Sequence, residues 1–211
     1  MTPPVNAPVA DSLFFDLRLA NLAVSRLLGL LKSVYHGARN YPDRLLHSRR
    51  FRSAVQRVSQ LGRPRGILVI CHGNICRSPY LQAVLQRALP DIAVSSAGFI
   101  GGDRAVPVFS LAVSARRGLD LTRFRSQLIS PENVRNADLI IVMDADQARH
   151  IKSRFGVRGI RLFVAGDLDP KPSPTRAIAD PWMQPLEVFE SSFDRLDRCT
   201  EALVMALRRD P

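Results

Sequence analysis

The sequence predicts an α/β fold: a four-stranded parallel sheet flanked by helices on both faces, preceded by a helical N-terminal extension. Three observations predict it. From residue 66 onward, short continuous apolar runs alternate with helical patterns, which is how βαβ units read in sequence. The breaker cluster Gly62-Arg63-Pro64-Arg65-Gly66 separates that pattern from a basic first segment. A loop carrying Gly, Asn and Arg, opened by Cys71, joins the first apolar run to the next helix.

The elements follow in order. Residues 1–11 are rich in Pro and Ala, a composition that disfavours a packed core. Leu13, Leu17, Ala20, Val24, Leu27, Leu28 and Leu31 recur at helical spacing, with Asp11 or Ser12 as N-cap. A second helix is expected around Arg50–Gln60. The breaker cluster divides the chain into 1–65, a basic helical extension, and 66–211, the main domain. Ile67-Leu68-Val69-Ile70 reads as a strand buried on both faces. Ser78 to Leu89 reads as a helix and Ile92 to Ser95 as the second strand. Val106 to Arg117 is a helix ended by Gly118. Leu139 to Met143 is the third strand, Asp144 to Phe155 a helix, and Arg161 to Val164 the fourth strand. Gly166 to Pro185 is a Pro-rich loop, and Pro185 to Arg208 a closing helix.

Composition limits the classes of function. With 211 residues, 46% of them hydrophobic, the chain suits one globular domain plus an extension. Its net charge of +11 is concentrated early: residues 1–65 hold 11 Lys and Arg against 3 Asp and Glu. Such a segment could meet nucleic acid, anionic lipid or an acidic partner, but a solvated face is the plainer expectation. No nucleic-acid motif accompanies it, so nucleic acid is not an expected partner. Three cysteines, two of them in one short motif, are no disulfide framework and suit a reducing compartment. The apolar stretch Ser12–Leu31 is interrupted by Asp16, Arg18 and Arg26, so no membrane span is expected. A secretory leader pattern is also missing, and the expected location is cytoplasmic.

The chemistry lies in Cys71-His72-Gly73-Asn74-Ile75-Cys76-Arg77-Ser78-Pro79. The run sits at the carboxyl end of a strand and the amino end of a helix. Backbone N–H groups converge there on an anion, helped by the helix dipole. Gly73 and Asn74 are best able to take the left-handed backbone that curls amides into a nest. A cysteine at such a place serves as a thiolate nucleophile. Arg77 offers a planar fork for two phosphate oxygens. Ser78 can donate a hydrogen bond to the sulfur. The nucleotide-binding pattern G-x-x-x-x-G-K-[ST] is absent. Nothing has metal-ligand spacing, and neither a metal nor another cofactor is expected. His72 is expected to be a loop side chain and His150 a surface residue.

This run resembles the signature of the low-molecular-weight protein tyrosine phosphatase family. Ser96-Ala97-Gly98, Met143-Asp144 and Asp180-Pro181-Trp182 resemble further family motifs. The resemblance implies hydrolysis of phosphotyrosine proteins through a cysteinyl phosphate. It assigns catalysis to Cys71, Arg77 and Asp180, and substrate binding to His72, Gly73, Asn74, Ile75, Cys76, Ser78 and Trp182. Ser96 would support the loop, through Asn74. Asp167 and Asp169 are the fallback acids. A reversible Cys71–Cys76 disulfide belongs to the family's repertoire. Isoleucine at position 75 follows the phosphotyrosine pattern, where phosphoarginine members carry threonine. The implied partner is a tyrosine kinase of exopolysaccharide export.

Two departures stand out. Arg123-Phe124-Arg125-Ser126 replaces the family's His-x-Ala-Arg stretch, and Phe99, Ile100 and Gly101 follow Gly98 where an aromatic wall is usual. Two competing readings remain at this point. One is a thiol-dependent arsenate reductase, for which only Cys199 could resolve the intermediate. The other is an anion- or nucleic-acid-binding module acting through the basic extension.

Overall fold

A computed structural model describes residues 43–208. Helix α1 spans 43–61. After it come β1 (Gly66–Cys71), α2 (Arg77–Ala88), β2 (Ala93–Gly98), α3 (Val108–Arg116), α4 (Pro131–Asn136), β3 (Leu139–Val142), α5 (Ala145–Phe155), β4 (Leu162–Val164) and α6 (Leu186–Leu207). The four strands form one sheet in the order β2-β1-β3-β4, and all pairs are parallel.

Alternation along β1 splits the core in two, since successive side chains point to opposite faces. Ile67, Val69 and Cys71 join Leu81 and Leu85 of α2, Phe193 and Leu203 of α6, and Ala54 and Val58 of α1. Leu68 and Ile70 face Val134 of α4 and Ile151 of α5. Helices therefore cover both faces, as parallel sheets require.

Strand order reverses between β1 and β3, so the carboxyl ends of these strands open a crevice. Cys71 ends β1 at that crevice.

Helix α1 is longer than the Arg50–Gln60 segment expected. It packs as part of the sheet domain: Val58 is fully buried, and the Arg57 guanidinium lies 4.4 Å from the centre of the Phe163 ring. Arg57 also donates to the Gly159 carbonyl at 2.8 Å. The breaker cluster at 62–66 is thus a turn, with Gly62 at φ +67, and the compact unit reaches back to Asp43. The packing boundary does not coincide with the division at 65/66. The helix expected over 13–35 and the Pro/Ala-rich 1–11 lie outside the described residues.

Helix α4 was not anticipated. Ser130 caps it reciprocally with Asn133: the Asn133 amide donates to Ser130 Oγ, and Asn133 Oδ1 accepts from the Ser130 amide, both at 3.1 Å. Strand β2 runs three residues beyond the expected Ser95, because its backbone stays in register with β1 up to the pair Cys71 and Gly98. The last helix, expected from Pro185, starts at Leu186 with Pro185 as its N-cap.

Candidate active site

The loop from Cys71 to Arg77 turns sharply between β1 and α2. Asn74 makes the turn, with φ at +51. Gly73 does not share that conformation, contrary to the sequence expectation. Its lack of a Cβ serves close approach instead: a Cβ there would lie 2.8 Å from a guanidinium nitrogen of Arg104. Gly98 is needed for a similar reason, since a Cβ would meet the Asn74 amide at 2.9 Å.

Cys71 Sγ accepts two hydrogen bonds, from the Asn74 amide at 3.2 Å and from Ser78 Oγ at 3.0 Å. Behind the sulfur lies a connected polar network. Asn74 Nδ2 donates to Ser78 Oγ and to Ser96 Oγ, each at 2.8 Å. Ser96 Oγ donates to Gln82 at 2.6 Å, and Asn74 Oδ1 accepts from the Gln127 amide at 2.7 Å. Asn74, Ser78 and Ser96 are all buried. A fully satisfied buried network of this kind holds one geometry, because any broken member leaves an unpaired polar group. The link from Ser96 through Asn74 to the loop is the one expected from sequence. The Gln82 side chain and the Gln127 backbone amide were missed, as an isolated glutamine carries no pattern and a backbone donor carries none at all.

A hollow of about 180 Å³ opens over the loop. Cys71, His72, Gly73, Ile75, Cys76 and Arg77 line it from the loop; Ile100, Arg104, Asp180 and Trp182 complete it from two other segments. The structure thus gathers most of the expected substrate-binding residues. Asn74 and Ser78 are the exceptions: they lie buried behind the loop and touch the sulfur, not the hollow. His72 is exposed at its edge, and its carbonyl accepts from the Phe99 amide at 2.9 Å.

Arg77 is 4% exposed. Its Nη1 donates to the Ile178 carbonyl at 3.0 Å and its Nη2 to Asp180 Oδ2 at 2.5 Å. Its Nε is buried without a hydrogen-bond partner among the described residues. Asp180 Oδ1 also accepts from the Trp182 amide at 3.3 Å, which fixes the acid against its own loop. The fallback acids are placed elsewhere. Asp167 is paired with Arg176, and Asp169 is fully buried between Arg195 and Arg198 of α6.

The wall after Gly98 is aliphatic and cationic. Phe99 turns away to meet His150 edge-on at 5.0 Å, and Ile100 takes the lining position. Arg104 ties that wall to the loop, donating to Gly73 O at 2.6 Å and to Ile100 O at 2.9 Å. Nothing in the sequence marks Arg104 among the 30 basic residues. The substituted stretch before it in the network still serves: Ser126 Oγ accepts from the Arg104 amide at 2.9 Å and donates to Gly101 O at 3.0 Å.

All three cysteines are free thiols. Burial pushes the Cys76 thiol up to about 12, against the pull of the Ser110 hydroxyl. Burial likewise holds the Cys199 thiol far above its ordinary value, next to the carboxylate of Asp169. Cys199 sits in the core on α6, away from the hollow. No cluster of His, Cys, Asp or Glu among the described residues could hold a metal ion. No helix among them is long and apolar enough to cross a membrane.

Comparisons with known proteins agree with this geometry. The family model described as low molecular weight phosphotyrosine protein phosphatase matches residues 66–211. The chain is 38% identical over 144 residues to the probable low molecular weight protein-tyrosine-phosphatase EpsP of Ralstonia nicotianae, covering 67% of this chain and 95% of that protein. It superposes on the tyrosine phosphatase Wzb of Escherichia coli K30 in complex with sulphate with a TM-score of 0.63, at 28% identity, covering 68% and 98% of the two chains. The YwlE arginine phosphatase of Geobacillus stearothermophilus gives a TM-score of 0.62 at 27% identity, covering 68% and 93%. With the phosphate loop, its supporting network and the matched residues 66–211 in agreement, the chain belongs to the low-molecular-weight protein tyrosine phosphatase family.

Proposed function

We propose that this chain is a protein tyrosine phosphatase that hydrolyses phosphotyrosine through a phosphate ester on Cys71. The observation that carries the reading is the convergence on one small hollow of Cys71 Sγ, the Arg77 guanidinium and the Asp180 carboxyl.

The chemistry runs in two steps. Cys71 Sγ attacks phosphorus and the bond to the tyrosine oxygen breaks; Asp180, protonated, gives its proton to that oxygen as it leaves. Water then attacks the cysteinyl phosphate, Asp180 takes a proton from it, and the S–P bond breaks. Ser78 donates to the departing sulfur. Arg77 holds the equatorial oxygens through both steps. Its unpartnered Nε is the donor that a phosphoryl oxygen would satisfy, since buried donors are rarely left without an acceptor.

Tyrosine fits the hollow better than arginine. Ile75 and Ile100 offer apolar surface, and Trp182 an aromatic face, to a phenyl ring. A phosphoarginine guanidinium would meet no carboxylate there except Asp180, which the reaction uses as its acid. The arsenate-reductase reading requires a reactive resolving thiol beyond Cys71: Cys199 is buried in the core, and burial holds Cys76, the other thiol of the loop, in its neutral form. The place of action we take to be the cytoplasm, where a reactive thiol stays reduced. The physiological partner we take to be a tyrosine kinase of exopolysaccharide production.

The reading is tested by steady-state hydrolysis of p-nitrophenyl phosphate and of phosphotyrosine, phosphoserine and phosphoarginine peptides. Wild type should hydrolyse the aryl phosphate and the phosphotyrosine peptide, and Cys71→Ser should have no turnover. Preference for phosphoarginine would overturn the tyrosine assignment.

A further inference from the structure

Next to the catalytic hollow lies a second, apolar one of about 390 Å³. Pro107, Val108, Phe109, Trp182, Met183 and Phe189 line it. Much of this surface faces solvent: Val108 is 76% exposed, Met183 84%, Trp182 50% and Phe109 46%. Exposed apolar side chains scattered singly need no explanation, but a contiguous group does. These come from separate parts of the chain. Val108 and Phe109 form the first turn of α3, and Met183 projects from the loop that carries Asp180.

The fold maintains this surface at some conformational expense. Met183 has φ at +57, in the left-handed region where a methionine is uncommon. The Gln184 amide closes the turn onto the Pro181 carbonyl at 2.9 Å. Phe109 is held edge-on against buried Phe189, with ring centres 5.7 Å apart. The platform is therefore ordered and not a floppy tip.

Trp182 lines both hollows, so the apolar surface continues the wall of the catalytic hollow. On the phosphatase reading, a phosphotyrosine seated over Cys71 brings its flanking residues across Trp182. We infer that the hollow between α3 and the Asp180 loop receives an apolar side chain of the substrate protein, within about three residues of the phosphotyrosine. An extended chain advances roughly 3.4 Å per residue, so three residues can cross one indole. The substrate class is a phosphotyrosine segment with a large aliphatic or aromatic neighbour. This deepens the phosphatase reading and rests on it.

The test uses the full-length chain and a set of phosphotyrosine peptides of equal charge. The reference peptide has alanine at all positions from three before to three after the phosphotyrosine; each other peptide carries one leucine. Leucine at one or more of these positions should raise kcat/KM about tenfold, the effect of burying most of one such side chain. Val108→Ser combined with Met183→Asn should remove that gain while leaving p-nitrophenyl phosphate hydrolysis unchanged. Both side chains are largely exposed, and asparagine tolerates the left-handed backbone, so this variant keeps its fold. Phe109→Ala should reduce the gain in the same way. Equal kcat/KM for all peptides, or a leucine gain that survives both variants, would overturn the inference. So would a wild-type dimer in sedimentation that these substitutions dissociate, since the occupant would then be a second copy. Absent p-nitrophenyl phosphate turnover by wild type would instead fail the underlying reading.

Discussion

Arg77 Nη2 donates to Asp180 Oδ2 at 2.5 Å, joining the amino end of α2 to a loop 103 residues further along the chain. The two groups have competing uses. A phosphate over Cys71 offers the guanidinium a more highly charged partner than one carboxylate does. On the proposed mechanism, transfer of Arg77 from Asp180 to the phosphate leaves the carboxyl free to face the leaving oxygen. Phosphate binding and placement of the acid are then one event.

This coupling predicts the behaviour of Asp180→Asn. Loss of a general acid costs about 10²- to 10⁴-fold in rate. The loss should be largest for alkyl-substituted phenyl phosphates, whose leaving oxygens need the proton, and smallest for p-nitrophenyl phosphate. Rates across a series of aryl phosphates check it: the variant's dependence on leaving-group acidity should be steeper than wild type's. Inorganic phosphate should inhibit the variant at lower concentration, because the carboxylate no longer competes for Arg77.

Ser78 donates to the Cys71 sulfur, the proposed nucleophile, at 3.0 Å. That bond matters most when sulfur departs from phosphorus, since it then regains negative charge. Hydrogen bonds to charged groups contribute about 1.5–3 kcal/mol, or roughly 10- to 10²-fold in rate. Ser78→Ala should therefore slow the second step and let the phosphoenzyme accumulate. Stopped-flow release of p-nitrophenol should show a burst equal to the enzyme concentration, followed by slow turnover.

Asp169 anchors α6 through Arg195 and Arg198, at 3.0 and 2.9 Å. Its carboxylate is fully buried. Burial alone would raise its pKa, but the hydrogen bond from Arg198, the Lys171 amide and the charge of Arg195 together hold it below the ordinary value. A depressed carboxyl stabilises the fold above its unfolded pKa of about 4, and that contribution is lost as pH falls through the lower folded value. Asp169→Asn should destabilise by about 3–5 kcal/mol at neutral pH, since two arginines lose their partner. It should also flatten the fall of stability below about pH 4. Urea unfolding of both proteins at neutral and acidic pH checks the sign.

The thiols divide by environment. Cys71 and Cys76 both line the hollow, but Cys71 Sγ accepts hydrogen bonds from the Asn74 amide and Ser78 Oγ, whereas burial holds Cys76 as a neutral thiol and Cys199 lies in the core. Only the thiolate alkylates readily. Iodoacetate at neutral pH should modify Cys71 alone in the folded protein, and inorganic phosphate should protect it. Peptide mapping after alkylation distinguishes the three sites.

Much of this architecture was legible because parallel strands buried on both faces leave unbroken apolar runs. Ile67 to Ile70 and Leu139 to Val142 could be read directly. Helix α4 could not be, since it spans six residues and buries only Val134, which leaves no periodicity. At the site, Cys71 and Arg77 share one local run, and proximity in sequence made them visible. Asp180 gained its role from resemblance, because Asp-Pro by itself is turn chemistry. Arg104 reaches Gly73 from 31 residues away, through a side chain indistinguishable in sequence from a surface arginine. The same holds for the Gln82 side chain, and the Gln127 backbone amide leaves no mark in sequence; the partners of both exist only once the loop has folded against β2. Gly73 was misread because a glycine can serve either a left-handed turn or a close approach, and sequence does not say which.

Whether phosphate passes through Cys71 is measured most directly by acid quenching of the enzyme during turnover of a phosphotyrosine peptide, followed by peptide mapping. A phosphoryl adduct is expected on Cys71, absent in Cys71→Ser and enriched in Ser78→Ala. A phosphorylated residue other than Cys71, or full turnover by Cys71→Ser, would contradict it.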